Sequence, residues 1–283
     1  MWESDVKQLE RRKKIARQLG GKENVAKHHQ KGRMTVRERI DVLVDRGSFI
    51  ERGMLAGVPT YDMDDKNKLI DLVPCPFVIG IARIDGRRVA VHGDDFTVKG
   101  ASVGRLYKAK SAYFVKMARA LKLPIVRLIE GAGGSIKEIL EIGYTELPTS
   151  GDECAQDRVE VMSEVPVVSA GFGSIAGLGA MYMVQSHFSV MIKKQTQVFV
   201  GGPPLIKAAH RAEIESAEDP AAHLKELQDT YRAIQSPFRT AEAFGIEDII
   251  DPRDTRSLLC DWAEMAYETE KNNLGPKKRG MRC

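Results

Sequence analysis

Two stretches of the chain share one order of residues, and that order limits the folds available to it. In the first, the apolar residues 125–129 lead into Gly131-Ala132-Gly133-Gly134, and Ser135 then stands before a helical pattern. In the second, the apolar run "VPVVSAGFG" leads into the small-residue turn "SIAGLG" and another helical pattern. Strands that alternate with helices form crossover units. The order therefore predicts an α/β fold.

Other segments predict how this unit is surrounded. The β-rich runs on either side of Asp85-Gly86 predict a hairpin. Residues 1–22 and 210–235 have helical patterns, and the apolar positions in 36–44 follow helical spacing. We expect residues 51–75 to be irregular, because they contain Pro59, Pro74 and the polar run "DMDDKNK". We expect His28 and His29 to be exposed, because they lie in a basic stretch.

Composition narrows the class of protein. The 283 residues allow one large domain or two small ones. A hydrophobic content of 43% and a charged content of 29% are ordinary for a soluble globular enzyme. No apolar run approaches the roughly 20 residues of a membrane span, and the net charge of +4 is smaller than is usual for a nucleic-acid binder. The basic excess suits an anionic small ligand or is simply a solvated surface.

The cysteines and histidines give no metal-site spacing. The four cysteines, at positions 75, 154, 260 and 283, are far apart, which favours free thiols in a reducing compartment. The histidines are scattered, and for each a structural or solvated role is favoured over a catalytic one. We therefore predict no metal. The N-terminal residues do not resemble a secretory signal. The expected compartment is the cytoplasm, or the mitochondrial matrix if a transit peptide has been removed.

The two glycine turns suggest a chemistry. The first turn of a helix leaves backbone N–H groups without intrahelical partners, and these suit an oxyanion. Two such turns that converge could hold one carbonyl oxygen, as an oxyanion hole does. The alternative for either turn is close packing of strand against helix. Neither turn matches a phosphate loop or a dinucleotide fingerprint, and no nucleophile elbow is present. A site of backbone donors would suit an enolate whose base comes from elsewhere.

Five segments, in order, resemble the carboxyltransferase subunits of biotin-dependent acyl-CoA carboxylases. They are "KGRMTVRERIDVLVDRGSFIERG", "DDFTVKGASVG", "EGAGGSIKE", "GSIAGLGAMY" and "VFVGGPPLIKAA". The resemblance implies a crotonase-like (ClpP/crotonase) ββα superhelix of the N-terminal carboxyltransferase domain type, which binds coenzyme A thioesters.

The resemblance also implies roles for particular residues. Backbone donors at the thioester carbonyl and its cleft would be Gly177, Leu178, Gly179, Gly133 and Gly134. Residues along the coenzyme A would be Ala132 and Ile136, together with a turn near its pantetheine or adenine that contains Phe96, Thr97, Gly100, Ala101 and Ser102.

The chain departs from the family pattern in two ways. Ser135 stands where the family has an arginine in the first glycine turn. The family chain is also about twice as long, a tandem of two crotonase-like domains, and the biotin-binding glycine turn of its middle has no counterpart here. The join falls near Ala209–His210. We expect an entry segment over residues 1–76, an acyl-CoA-binding core over 77–209, and a helical segment over 210–283 that resembles the end of the second domain.

The function implied is transfer of a carboxyl group from carboxybiotin to the α carbon of an acyl-CoA through a backbone-stabilised enolate. Biotin would be carried by a separate domain or subunit. The implied partners are a biotin carboxylase and carrier subunit, and a second copy of this chain or a full-length carboxyltransferase. Two alternatives remain: a malonyl-type decarboxylase or transcarboxylase subunit, and a non-catalytic assembly subunit. Hydration is disfavoured, because residues 180–183 offer no carboxylate.

Overall fold

The computed structural model describes residues 2–65, 68–102, 108–131, 133, 140, 143, 155–193, 195–199 and 207–272. The helices are α1 Glu3–Ala16, α2 Lys22–Gln30, α3 Val36–Leu43, α4 Lys108–Ala120, α5 Ala155–Met162, α6 Leu178–Val184, α7 Arg211–Ser216, α8 Pro220–Ile234, α9 Pro237–Glu242 and α10 Thr255–Asn272. The strands are β1 Ile50–Arg52, β2 Gly57–Tyr61, β3 Leu69–Pro74, β4 Phe77–Ile84, β5 Arg87–Asp94, β6 Ile125–Gly131, β7 Val167–Ala176, β8 Phe188–Ile192, β9 Gln197–Phe199 and β10 Asp248–Ile250.

One sheet of mixed direction organises the described residues. Its order is β1-β4-β5-β6-β7-β8-β10, and β9 pairs with the end of β7. The strands from β5 to β10 run parallel, whereas β1, β4 and β5 pair antiparallel. The predicted α/β class is therefore confirmed.

The hairpin predicted at Asp85-Gly86 is confirmed. Strands β4 and β5 pair from Phe77↔Asp94 to Ile84↔Arg87. Asp85 and Gly86 have φ values of 48° and 75°. A two-residue hairpin turn of type I′ requires positive φ values at both positions. The expectation that residues 51–75 are irregular is wrong, because β2 and β3 form a separate two-stranded sheet there. Pro59 is tolerated in β2 because both strands of such a sheet are edge strands.

Helices α3 and α10 pack on one face of the main sheet. Thr35 caps α3 in a reciprocal capping box with Glu38. The apolar side of α3 joins Leu259 and Trp262 of α10 in one buried cluster over the inner strands. Strand β10 also comes from the C-terminal segment and lies at the edge of the same sheet.

The opposite face carries two apolar clusters. Phe114 of α4 and Val161 of α5 pack over Phe77 and Ile125, while Met183 of α6 belongs to a second cluster around Ile129 and Ile175. Side chains alternate along a strand, so the positions between these clusters on β5 and β6 face the gap between the covering helices. No described helix combines the length and the apolar character needed to span a bilayer.

Candidate functional site

The two glycine turns lie against each other. Strands β6 and β7 are parallel neighbours, so their carboxyl ends meet at one edge of the sheet, where Gly131 pairs with Ile175. A methyl group added at Gly133 would lie 3.0 Å from the carbonyl oxygen of Ala176 and 3.5 Å from the Cα of Gly177. Glycine at 133 therefore allows the backbones of the two turns to come together.

Gly177 forms the boundary between β7 and α6. Its φ of 56° and ψ of −123° define a backbone conformation that side chains disfavour. The following N–H groups belong to the first turn of α6, which has no intrahelical acceptors for them. A methyl group at Gly179 would lie 3.3 Å from Cγ2 of Ile175, so α6 rests closely on the strand before it. Gly179 thus has a packing role besides the role predicted for its backbone.

A narrow cavity of about 30 Å³ lies beside these turns. Residues of strands β4, β5 and β6 and of helices α4, α5 and α6 line it, together with Ala101 and Gly133. Its lining residues are Phe77, His92, Asp94, Ala101, Ser111, Arg127, Ile129, Gly131, Gly133, Arg158, Leu178, Gly179 and Tyr182. The structure therefore brings together four of the residues predicted from the sequence, namely Ala101, Gly133, Leu178 and Gly179. What they bind stays a prediction.

The cavity also has titratable side chains that no motif indicated. On β5, Nε2 of His92 lies 3.1 Å from Oδ1 of Asp94, and the His92 ring stacks on Phe77 at a centroid distance of 4.9 Å. Burial lowers the pKa of His92, and the carboxylate of Asp94 opposes that effect. The alternation in "VAVHGD" was the available signal, because it places residues 90, 92 and 94 on one face of the strand.

Two arginines face the same cavity. Nη1 of Arg127 donates to the carbonyl oxygens of Tyr182 at 3.2 Å and Gln185 at 2.8 Å, at the C-terminal end of α6. Burial, and next the nearby charge of Arg158, lower the Arg127 pKa to about 9. Arg158 of α5 donates to the Ser111 hydroxyl at 2.5 Å, and its guanidinium carbon lies 4.0 Å from the centre of the Tyr182 ring. The motifs suggested a site made of backbone donors alone. The structure adds charged side chains of β5, β6 and α5 to that site.

A buried ionic cluster supports β6 just before its glycine turn. Glu130 is fully buried, accepts from Nη1 of Arg33 at 2.9 Å, and pairs with Nη2 of Arg39. Nε2 of His28 lies 3.2 Å from Nη2 of Arg39 and 3.1 Å from the carbonyl oxygen of Met34. The expectation that His28 is exposed is wrong, since only 4% of it is accessible. Within this basic segment, Arg33 and Arg39 turn toward the sheet, where Glu130 pairs with both.

The turn at residues 96–102 reaches the cavity only through Ala101. Lys99, Gly100 and Ala101 all have left-handed φ values, between 51° and 65°. The Thr97 hydroxyl accepts the N–H of Gly20 at 2.9 Å, and Phe96 stacks at 6.2 Å on His28. Thr97 therefore contacts the turn between α1 and α2, and Phe96 contacts α2 itself. Contact of either side chain with a ligand stays a prediction.

Several predicted positions lie outside the described residues. They are Ala132, Gly134, Ser135 and Ile136. No cluster of three or more histidine, cysteine, aspartate or glutamate side chains suitable for a metal ion occurs among the residues that the structure describes.

The fold is shared with solved carboxyltransferases. A transcarboxylase 12S structure, with methylmalonyl-coenzyme A and methylmalonic acid bound, aligns with a TM-score of 0.69 and 22% identity over 93% of this chain and 47% of that one. One chain of the Pseudomonas malonate decarboxylase MdcD–MdcE heterodimer structure aligns with a TM-score of 0.55 and 15% identity, over 82% of this chain and 86% of that one. These likenesses show a crotonase-like fold.

Sequence comparison identifies the family. The carboxyl transferase domain model matches residues 27–223, and the chain belongs to that family. The propionyl-CoA carboxylase beta chain of Roseobacter denitrificans is 32% identical over 216 residues, which are 75% of this chain and 40% of that protein. The methylmalonyl-CoA decarboxylase subunit alpha of Veillonella parvula is 32% identical over 203 residues, 71% of this chain and 38% of that protein. The chain thus spans about 40% of the length of these relatives.

Proposed function

We propose that this chain is the acyl-CoA-binding unit of a biotin-dependent carboxyltransferase. It would carry a carboxyl group to the α carbon of an acyl-CoA thioester. The single observation that carries the proposal is the contact between the two glycine turns, at Gly133 and Gly177, beside a cavity that Leu178 and Gly179 also line. Family membership and relatives named as carboxylase subunits support it.

The role of the glycine turns is to hold one oxygen. When the α-proton leaves the thioester, the electrons of the C–H bond delocalise onto the carbonyl oxygen and form an enolate. Backbone N–H groups at Gly133, Leu178 and Gly179 would donate to that oxygen, and each such donor contributes roughly 3 kcal/mol to a transition state. The carbanionic carbon of the enolate then bonds to the carbon of carbon dioxide, and the thioester carbonyl is restored.

Carboxybiotin would be the second substrate, supplying carbon dioxide and a nitrogen base for the α-proton. The cavity would offer donors for one thioester oxygen, and the sequence has no counterpart of the family's biotin-binding glycine turn. We therefore propose that biotin arrives on a separate carrier, and that a full-length carboxyltransferase or another chain completes the biotin side. The cytoplasm or the mitochondrial matrix is the proposed compartment.

We further propose the domain boundaries 1–76, 77–209 and 210–283, with the third segment packed on the second. Strand β10 beside β8 and Trp262 of α10 in the core cluster support that packing. We also propose that the chain self-associates, and the family resemblance is the basis for this. Light scattering at micromolar concentration tests it, and a strictly monomeric particle would contradict it.

The experiment for the activity is a reconstituted carboxylation. The chain is incubated with a biotin carboxylase, a biotinylated carrier, ATP, labelled bicarbonate and a panel of acyl-CoAs, with and without a separately expressed biotin-binding half of a full-length relative. Acid-stable label in the acyl-CoA that depends on this chain supports the proposal. The proposal would be overturned if the carrier becomes labelled but no label reaches any acyl-CoA, either with or without the separate biotin-binding half. Unlabelled loss of carbon dioxide from malonyl-CoA would instead indicate the decarboxylase alternative.

A further inference from the structure

Arg127 has one half of its guanidinium engaged and one half without a partner. Its Nη1 atom donates to two carbonyl oxygens at the end of α6, where the helix dipole favours a cation. Its Nη2 atom is buried and has no hydrogen-bond partner in the described part of the chain. The residue is 3% exposed and lines the cavity beside Leu178 and Gly179. Capping of α6 explains Nη1 and leaves Nη2 unexplained.

The nearby carboxylate does not pair with Arg127. Oδ1 of Asp94 is in contact with His92 at 3.1 Å, and its Oδ2 accepts the N–H of Glu130 at 3.1 Å. No ion pair of Arg127 occurs among the described residues, whereas Arg158 adds a second positive charge nearby. A buried cation whose partners are neutral is costly. An anion in the cavity would offset that cost.

The size of the cavity limits what that anion can be. A water needs about 10–15 Å³ of such space, so a cavity of about 30 Å³ has room for two or three heavy atoms. A carboxylate has three, and its two oxygens suit the forked donors of a guanidinium. An alkyl chain of several carbons would neither fit nor satisfy Nη2.

We propose that the cavity holds the carboxylate of a malonyl-type acyl thioester, with Arg127 Nη2 as its donor. The inference rests on the proposed function, which puts the thioester carbonyl at the start of α6. In a malonyl-type group the α carbon bears both the thioester carbonyl and the carboxylate. The two must therefore bind in adjoining spaces, and this cavity adjoins the glycine turns. A free small carboxylate has the same chemistry, so the experiment includes both.

The experiment is calorimetry without biotin, with the thioesters checked to be intact afterwards. The ligands are malonyl-CoA, succinyl-CoA, acetyl-CoA and free malonate. The variants are Arg127→Met, Arg127→Lys and, as a matched control, Arg253→Met, because Arg253 is an arginine with an 87% exposed side chain. Circular dichroism and the melting temperature report folding. Lysine keeps a cation near the α6 carbonyls and lacks the second nitrogen, so it replaces methionine if that variant does not fold.

We expect wild type and Arg253→Met to bind malonyl-CoA at least roughly tenfold more tightly than acetyl-CoA, the range of a charge-assisted hydrogen bond. Succinyl-CoA, whose carboxylate is one carbon farther away, should not gain this preference. In the Arg127 variants the preference should fall to about twofold or less while acetyl-CoA affinity is kept.

The outcomes separate the subsite from the proposed function. Thioesters that bind wild type without preference, or a preference that survives in the Arg127 variants, would overturn the subsite and leave the proposed function standing. Malonate that binds wild type alone, with no thioester bound, would support an anion site and contradict acyl-CoA binding. Absence of binding by every ligand would contradict both.

Discussion

Replacing Glu130 by glutamine tests the ionic cluster that holds the first glycine turn. The carboxylate is fully buried and pairs with Arg39, which is 2% exposed, and with Arg33, whose side chain is 16% exposed. Arg33 can turn toward solvent, whereas Arg39 would remain buried, with the Met34 carbonyl and His28 as its remaining hydrogen-bond partners among the described residues. Losing one partner of a buried pair costs about 3–5 kcal/mol. Glutamine keeps the shape and one acceptor oxygen, so we expect about 3 kcal/mol.

The assay is equilibrium unfolding in urea followed by circular dichroism. Glu10→Gln is the matched control, because Glu10 pairs with Lys13 on the exposed face of α1 and its loss should leave the midpoint unchanged. The double variant Glu130→Gln/Arg39→Met removes the unpaired charge and should regain at least about 1 kcal/mol. A Glu130→Gln cost below about 1 kcal/mol, or a double variant no more stable than the single one, would refute the reasoning.

Three further predictions concern the second glycine turn, the cavity residue His92 and the cap of α3. Gly177→Ala should destabilise the chain by about 1–3 kcal/mol and weaken acyl-CoA binding. The control Gly86→Ala, at a φ of 75° in the hairpin, should leave the acyl-CoA affinity measured by calorimetry unchanged. Equal acyl-CoA affinities for both variants would contradict this. Burial lowers the pKa of His92, so below pH 6.5 the unfolded chain takes up a proton that the folded chain does not, and stability falls as the pH falls. Urea titrations should show His92→Gln reducing that slope by up to about 1.4 kcal/mol per pH unit, and an unchanged slope would count against a buried neutral ring. Thr35→Ala should cost about 1 kcal/mol in unfolding free energy by removing the α3 cap, and a loss within error would show that the cap is dispensable.

Local sequence patterns predict much of the fold. The Asp85-Gly86 turn and the strand–glycine–helix order depend on neighbours in sequence, and short-range sterics favour them wherever they occur. The sequence does not reveal strands β2 and β3, because their pairing spans a polar loop, from Tyr61↔Leu69 out to Gly57↔Pro74, and proline is a weak guide in an edge strand.

The polar side chains of the site could not be predicted from local sequence patterns. Arg127 stands in an apolar run, and only the packing of α6 above it shows that its guanidinium is held by the carbonyls of residues 182 and 185. His28 lies among basic residues, and its burial depends on Glu130, about a hundred residues away. Such contacts depend on tertiary structure. The backbone donors, in contrast, are a property of the turn itself.

Polarisation of the thioester carbonyl tests the central claim most directly. Acetyl-CoA labelled with ¹³C at the carbonyl carbon is added to the folded chain, and its carbon resonance is followed with and without excess unlabelled ligand. If backbone N–H groups of the two glycine turns hold the oxygen, the bound carbonyl resonance moves downfield, and the shift is lost in Gly177→Ala. A ligand that broadens on binding and keeps the carbonyl shift of free acetyl-CoA would contradict the account.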